Sequence, residues 1–451
     1  MTNLASLLDS HPFADEDNLL LTVDSKVTAG QARRQARAFA AQLKLHGVEP
    51  GQAVIVQRPN GPEAVVAMMG TWMAQAVYVP AGDRQPQAEL RAAIATIRPA
   101  AVAGLDHIER PTVQPARYDD DVAFVTWSSG TTGRPKAILH SHSAYVELLD
   151  RVLRPLRGQS TDRPKRPAPN LIPVSLALNS GIYNALFGLR AGAALVIMER
   201  FETVMFADLV RRFQIRSTVL PPAAMMMLTS DPRVDDLSPL RYVRSITAPL
   251  STLAAQRFTN KFGVTVLNGY GLAEIGEVVG WTAADARAYP DKIGAAGRPH
   301  PGVDLKIVDQ ASEVVAADEI GELLVRPPRM ASGYAGGEEL DERIDSAGYL
   351  RTGDLARCDP DGFVWIEGRL DDVINRGGNK VFPEQVEEVL RLNPRTQDAA
   401  VVGCSDDRLG QVPVAFVVGD ASSEELEALC RQHLAAYKVP VVFRRSRAAP
   451  K

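Results

Sequence analysis

The chain has 451 residues, 45% of them hydrophobic and 23% charged, with a formal net charge of −4. Such values belong to an ordinary soluble globular protein of roughly two to four domain-sized units. The absence of a basic surplus argues against nucleic acid or an anionic membrane as a partner. The three cysteines, Cys358, Cys404 and Cys430, form no CxxC pair. They offer neither a disulfide framework nor a zinc site, and they suit a reducing, cytoplasmic compartment. The first residues carry no basic segment followed by an apolar core, so no signal peptide is evident. The most apolar region, 171–198, is broken by Pro173, Asn179, Asn184 and Arg190. It therefore offers no uninterrupted span of about 18–20 residues for a membrane.

Thr28 and Gln31 have the spacing of a capping box. The helix that follows buries Ala36, Phe39, Ala40 and Leu43 on one face, and Gly47 closes it. A strand at 53–56, a helix at 64–75 and a strand at 76–80 come next. Further strands are expected at 122–127, 194–198 and 217–220. This alternation predicts a large α/β body built on parallel sheets. Residues 154–170, rich in Pro and Arg, read as a solvated surface loop. From 304 the texture changes to shorter strands, at 304–309, 321–326 and 363–367, which predict a small antiparallel or barrel-like part. After Arg369 comes a compact α+β tail. In it Pro383 suits the first position of a helix that buries Val386, Val389 and Leu390. Ser422 and Glu425 form a second capping box. The expected division is an N-terminal domain over 1–369 and a mobile C-terminal domain over 370–451.

The strongest chemical signal is Thr126–Lys136, TWSSGTTGRPK, in which a buried strand feeds a loop of hydroxyls and glycines that ends on a lysine. Glycines let backbone N–H groups curl round phosphate oxygens, and the hydroxyls and the ammonium add donors. The string is not a Walker A loop, which needs GxxxxGK[ST]. The glycines of 269–274 do not make a GxGxxG, and no GxSxG supports a serine hydrolase. His140 and His142 form an HxH without a third ligand, so no metal is expected there.

The loop resembles the signature of the adenylate-forming superfamily, which includes acyl- and aryl-CoA ligases, adenylation domains of peptide synthetases and beetle luciferases. The resemblance runs along essentially the whole chain, through Pro59-Asn60, Tyr78-Val79-Pro80, Ala248-Pro249-Leu250, Asn268–Glu274, Tyr349–Asp354 and Gly368–Gly378. It implies that Ser128, Ser129, Gly130, Thr131, Thr132, Gly133 and Lys136 hold the β- and γ-phosphates of ATP. It places Ala248 and Pro249 against the adenine, together with Asn268, Gly269, Tyr270 and Gly271, with Tyr270 stacked on the base. Glu274 is expected to help hold Mg2+, Asp354 to accept from the ribose hydroxyls, and Arg369 to contact the nucleotide. Asp371 becomes the hinge about which the C-terminal domain rotates between adenylate and thioester formation. Gly377 and Gly378 line the approach of the coenzyme A thiol, and Lys380 supplies a basic group near phosphate. His142 takes a structural place under the loop. Ala273 departs from the usual threonine, which donates to the α-phosphate; one such donor is worth roughly 2.7 to 4 kcal/mol in a transition state.

The same resemblance lines the acid pocket with 176–181, 244–248, 268–271 and the residues just after Glu274, so that Leu176, Asn179, Gly181 and Thr247 are candidate pocket residues. These stretches read as largely small or apolar, and the aspartate required for an α-amino acid is absent. An aromatic or medium-sized aliphatic acid is the expected substrate. The expected activity is an ATP-dependent acid–thiol ligase with coenzyme A as acceptor. Two other readings stay open: a free-standing adenylation enzyme loading a carrier protein in trans, and a degenerate nucleotide-binding module. A homodimer is compatible with any of them. The family's C-terminal lysine, in a segment like PxxxxGK, is expected just past Lys451. Trimming of a longer chain, an omitted tail or a natural lack would each account for this. The printed chain is therefore expected to make the adenylate poorly while still passing a preformed one to a thiol.

Overall fold

A computed structural model describes residues 3–128, 135–157, 166–246, 248–336 and 340–446. Two sheets with parallel centres form the body. In one of seven strands, Ala53–Arg58 lies parallel to Val77–Gly82 and Ala101–Ala103, and Val77–Gly82 is followed by Val122–Trp127. In one of nine, Asn18–Leu21, Leu195–Ile197, Asn170–Ile172, Ser217–Val219, Tyr242–Ser245 and Thr265–Leu272 run parallel. Helices cover these strands, as the alternation predicts. The first long helix, Ala29–Leu45, starts on the expected capping box: the Gln31 N–H donates to Thr28 Oγ1 at 3.2 Å and the Thr28 N–H to Gln31 Oε1 at 2.9 Å. It packs on the helix Pro62–Met73, where a Cβ on Gly70 would stand 2.5 Å from the Ala36 carbonyl oxygen. Only glycine permits that approach. Trp72 is completely buried beside this contact and donates from Nε1 to the Ala123 carbonyl at 2.7 Å.

The antiparallel piece expected from 304 onward is a four-stranded sheet of Asp304–Val308, Gly321–Arg326, Leu350–Cys358 and Val364–Arg369. The α+β tail has five strands and its own core, with Ile374, Val386, Leu390, Ala415, Leu426 and Cys430 buried together. Pro383 opens the helix Pro383–Leu390, and Ser422 caps Ser423–His433 through the predicted box.

The solvated loop expected at 154–170 needs correction at both ends. The helix His142–Arg157 carries Pro155 within it, and Asn170 already belongs to a strand. The apolar stripe of Leu148, Leu149, Val152 and Leu153 drives the helix on, and Pro155 lies in its last turn. Arg166 is anchored too: it bonds Asp17 at 2.8 Å and lies over the Phe13 ring. Residues 158–165 lie outside the described residues.

Truncating Trp72 removes a large side chain from a site that backbone contacts keep from collapsing. Trp72→Ala is expected to lower stability by about 3–5 kcal/mol, as read by the midpoint of urea unfolding at unchanged slope.

Candidate active site

The phosphate-loop candidate is the connection of a β-hairpin. Val122–Trp127 pairs antiparallel with Ala137–Ser141, so Trp127 faces Ala137. Past that pair the Ser128 N–H donates to the Lys136 carbonyl at 2.9 Å, and the Lys136 N–H donates to Ser128 Oγ at 3.1 Å. These two bonds close the neck of the loop and leave the Ser128 hydroxyl proton available. Ser129, Gly130, Thr131, Thr132 and Gly133 lie outside the described residues, as does Thr247. His140 and His142 have structural partners: His140 Nε2 is 2.7 Å from Thr126 Oγ1, and the Leu4 N–H donates to His142 Nδ1 at 3.1 Å. Among the described residues no group of three or more His, Cys, Asp and Glu could hold a metal ion.

A third strand, Gly333–Ala335, pairs with Ala137–Ser141 and sets Tyr334 opposite Ile138. The Lys136 ammonium then sits 5.1 Å from the centre of the Tyr334 ring. The Tyr334 hydroxyl donates to Glu274 Oε1 at 2.7 Å, and Arg343 Nη1 donates to the same oxygen at 3.2 Å. Arg343 Nη2 also bonds the carbonyls of Arg351 and Thr352, at 2.9 and 3.2 Å. Glu274 is thus buried but bonded, at the turn between Thr265–Leu272 and Gly276–Gly280. Neither Tyr334 nor Arg343 is marked by the sequence motifs. Their roles come from pairing between distant segments, which no local spacing signals.

Asp354 lies at the other end of this chain of contacts. Antiparallel register sets it opposite Arg369, whose Nη1 donates to Asp354 Oδ1 at 2.6 Å. The Tyr270 hydroxyl donates to Oδ2 at 2.5 Å. An ionised carboxylate offers about four acceptor sites, so two remain for further donors. Arg369 Nε is buried without a hydrogen-bond partner among the described residues. Burial works to lower the Arg369 pKa, but the Asp354 carboxylate overrides it and raises it. Burial and the same carboxylate push the Tyr270 phenol well above its ordinary value. Lys136 and Asp354 are therefore linked by one chain of contacts, through Tyr334, Glu274, Arg343 and the Thr352 carbonyl, which accepts from Arg369 at 3.4 Å.

Ala248 and Pro249 are exposed just beyond the carboxyl end of Tyr242–Ser245, next to the strand bearing Asn268, Gly269, Tyr270 and Gly271, since Ser245 pairs with Asn268. Gly271 is obligatory, because a Cβ there would meet the Gly276 carbonyl oxygen at 2.0 Å. Ala273 brings no side-chain donor to the turn. Leu176 is buried, and its N–H donates to Asn60 Oδ1 at 2.7 Å; Asn60 also holds the Val174 and Met198 carbonyls. Asn179 and Gly181 start the helix Asn179–Ala191, and Asn179 accepts from the Tyr145 hydroxyl at 3.0 Å.

One of these stretches also carries a charge: Arg244 and Glu277, 8% and 6% exposed, form an ion pair, joined by His300 and Tyr183. The sequence offered Arg244 only as the end of a range and gave no sign that it pairs with Glu277.

The tail brings fewer of the expected groups together. Asp371, Gly377, Gly378 and Lys380 are all exposed. Gly377 and Gly378, with φ of 57° and 89°, form the two-residue turn between Ile374–Arg376 and Asn379–Val381. Lys380 faces Asn375 across that hairpin. The helix Pro383–Leu390 reaches the body instead. Ser251 donates to Glu388 at 3.0 Å, and Gln385 Nε2 to Glu367 at 2.6 Å.

An α/β body in which a lysine that ends a glycine- and hydroxyl-rich hairpin is linked by one chain of contacts to a buried, arginine-paired aspartate suits a nucleotide-handling enzyme. The family model for AMP-binding enzymes matches residues 13–119 and 99–335, and that for the AMP-binding enzyme C-terminal domain matches 385–451. The chain belongs to the AMP-binding enzyme family. It is 30% identical over 439 residues to 4-coumarate–CoA ligase 2 of Nicotiana tabacum, covering 87% of this chain and 80% of that protein. It is 30% identical over 455 residues to 4-coumarate:CoA ligase 1 of Petunia hybrida, covering 89% and 82%. Among solved structures, amide bond synthetase McbA from Marinactinospora thermotolerans superposes with a TM-score of 0.83 at 26% identity, over 99% of this chain and 96% of that one. ATP-bound MatB from Rhodopseudomonas palustris superposes at 0.86 over 100% and 96%; at 23% identity it shares the fold.

Glu384, in the first turn of the docked helix, has its carboxyl raised from 4.5 to about 7 by burial and by the carboxylates of Glu387, Asp354 and Asp372. Between those two values the folded chain binds more protons than the unfolded one, so this group's contribution falls as pH rises. Glu384→Gln is expected to raise the melting temperature relative to the parent at pH 8 and to change it little at pH 4.5, when the two proteins are melted side by side.

Proposed function

We propose that this enzyme joins a small carboxylic acid to AMP at the expense of ATP and passes the acyl group to the thiol of coenzyme A. The observation that carries this reading is the chain of contacts linking Lys136 to Asp354; membership of the AMP-binding enzyme family and the coenzyme A ligase relatives support the activity.

A carboxylate is a poor electrophile because its carbon bears delocalised negative charge. One of its oxygens attacks the α-phosphorus in line, the bond to the β-phosphate oxygen breaks, and pyrophosphate leaves. The thiolate sulfur then attacks the acyl carbon and expels AMP. No protein nucleophile is needed, so the residues act by position and charge. Lys136 and the hairpin connection take the β- and γ-phosphates. Asp354 takes the ribose hydroxyls on its two remaining acceptor sites, and Arg369 offers Nε to the nucleotide. Tyr270, tied to Asp354 through its hydroxyl, presents its ring to the adenine. Glu274 suits Mg2+, a cation that keeps its waters and needs only one or two carboxylates beside substrate phosphates. Tyr334 and Arg343 hold the Glu274 carboxylate that would bind the metal, which would supply positive charge beside the departing pyrophosphate.

We further place the domain boundary at 369/370, with Asp371 as the hinge. The separate core of the tail supports this. Rotation about Asp371 brings the Gly377–Gly378 turn and Lys380 from their exposed positions to the nucleotide surface for the thiol step. A cytoplasmic location fits the free thiols Cys358, Cys404 and Cys430. Among the described residues no helix is long and apolar enough to cross a membrane.

Incubation with ATP, Mg2+, coenzyme A and a panel of aromatic and medium-sized aliphatic acids is expected to give acid-dependent AMP and an acyl-CoA. Replacing coenzyme A by a phosphopantetheinylated carrier protein separates the two acceptors. Asp354→Asn weakens charge-assisted bonds and is expected to lower kcat/KM for ATP about 10- to 100-fold. AMP release that ignores the acid, or a variant that turns over ATP normally, would overturn the assignment.

A further inference from the structure

The tail meets the body through a side chain that bonds both ways. Gln385 lies half-buried in the first turn of the helix Pro383–Leu390. Its Oε1 accepts from the Lys438 ammonium at 2.7 Å, a bond inside the tail. Its Nε2 donates to Glu367 Oε2 at 2.6 Å, a bond across to the body. The other carboxylate oxygen of Glu367 accepts from Arg357 Nε at 2.9 Å. The four groups form a row of cation, amide, carboxylate and cation. Both bonds of the amide are charge-assisted, which puts them among the stronger kind. An amide polarised at its oxygen by an ammonium is also a better donor at its nitrogen. Two further bonds from the body are longer: Ser251 donates to Glu388 at 3.0 Å, and Arg257 to the Leu392 carbonyl at 3.5 Å.

The same row reaches the turn assigned to the thiol. Arg376, which flanks Gly377–Gly378, donates from Nη1 to the carbonyls of Tyr437 and Val439 at 2.8 and 3.2 Å, on either side of Lys438. The hairpin that carries the turn, the segment around Lys438 and the helix are thus tied together, and Gln385 is where the body grips them. The adjacent Glu384 loads the docked position in the opposite sense, because burial and the carboxylates of Glu387, Asp354 and Asp372 disfavour its ionised form. Resting on the ligase function and the hinge proposed above, we infer that Gln385 is a positioning residue for the thiol step: its amide holds the tail in the present position, and its bond to Glu367 breaks before the Gly377–Gly378 turn reaches the nucleotide. The row suits a tie that must let go. After release Glu367 keeps Arg357 and Gln385 keeps Lys438, so neither group is stranded without a partner, which is the costly outcome.

A swapped pair decides the matter. Gln385→Glu removes the bridging N–H and sets a second carboxylate against Glu367, while an acceptor for Lys438 remains inside the tail. Adding Glu367→Gln restores the bond in reverse, since the new amide on the body donates to the new carboxylate on the tail and still accepts from Arg357. Folding of both variants is checked by thermal melting. Hydrogen exchange over 249–257, the body segment that faces the tail, is expected to quicken in Gln385→Glu and to return to the parental rate in the double variant. Transfer of a preformed acyl-adenylate to coenzyme A, made from an acid that supports AMP release by the parent, is expected to run about tenfold faster in the single variant and at the parental rate in the double one. Unchanged exchange in the single variant overturns the inference. So does quickened exchange that the second substitution fails to reverse, which marks general damage, and so does a thiol step that does not accelerate while exchange responds. If the parent releases AMP with no acid, the ligase function itself falls, and the exchange measurements still decide whether Gln385 ties the tail to the body.

Discussion

The Glu274 carboxylate is the point on which the geometry of the site turns. It is buried, and a buried charge persists only if it is paired and bonded. Its partners come from far along the chain: Tyr334 from a strand added to the edge of the seven-stranded sheet, and Arg343 from the segment before Asp354. One acid thus ties the hairpin that ends at Lys136, the hairpin of the nine-stranded sheet and the antiparallel sheet carrying Asp354. The same three pieces also share an apolar core of Ile138, Ile275, Val279, Leu323, Tyr334 and Leu350, and Tyr270 bonds Asp354, so the carboxylate adds a polar tie to a packed one.

The contact between tail and body rests on a different set of polar groups. The helix Pro383–Leu390 meets the body through two side-chain hydrogen bonds, from Ser251 and to Glu367, rather than through a continuous apolar seam. Glu384 adds a carboxyl that burial and its acidic neighbours disfavour in the ionised form. The tail has its own core of Val386, Leu390, Ala415 and Leu426, which supports the proposal that it moves as a body about Asp371.

What the sequence made legible follows from the range of the forces involved. Capping boxes at Thr28 and Ser422, the Pro383 helix start and the alternation of strands with helices are local, and each is present as read. The hairpin loop closed by Ser128 and Lys136, and the pairing of Asp354 with Arg369, follow motifs whose residues lie within a few positions of a turn or in one β-hairpin. Tyr334 and Arg343 were illegible because their value depends on the register of strands nearly 200 residues apart. The stretch 154–157 was misread for a simpler reason. Proline is a strong breaker in mid-helix, yet a buried stripe reaching Leu153 carried the helix over Pro155 in its final turn.

The Arg244–Glu277 pair shows the same blindness. Read singly, Arg244 lies next to the last residue of a strand and Glu277 follows a turn, and both suit a solvated surface. Register and the helix Asn179–Ala191 bring them together inside the region where apolar walls were expected. A buried ion pair is weak evidence for stability, since well-packed apolar residues of similar volume often serve as well or better.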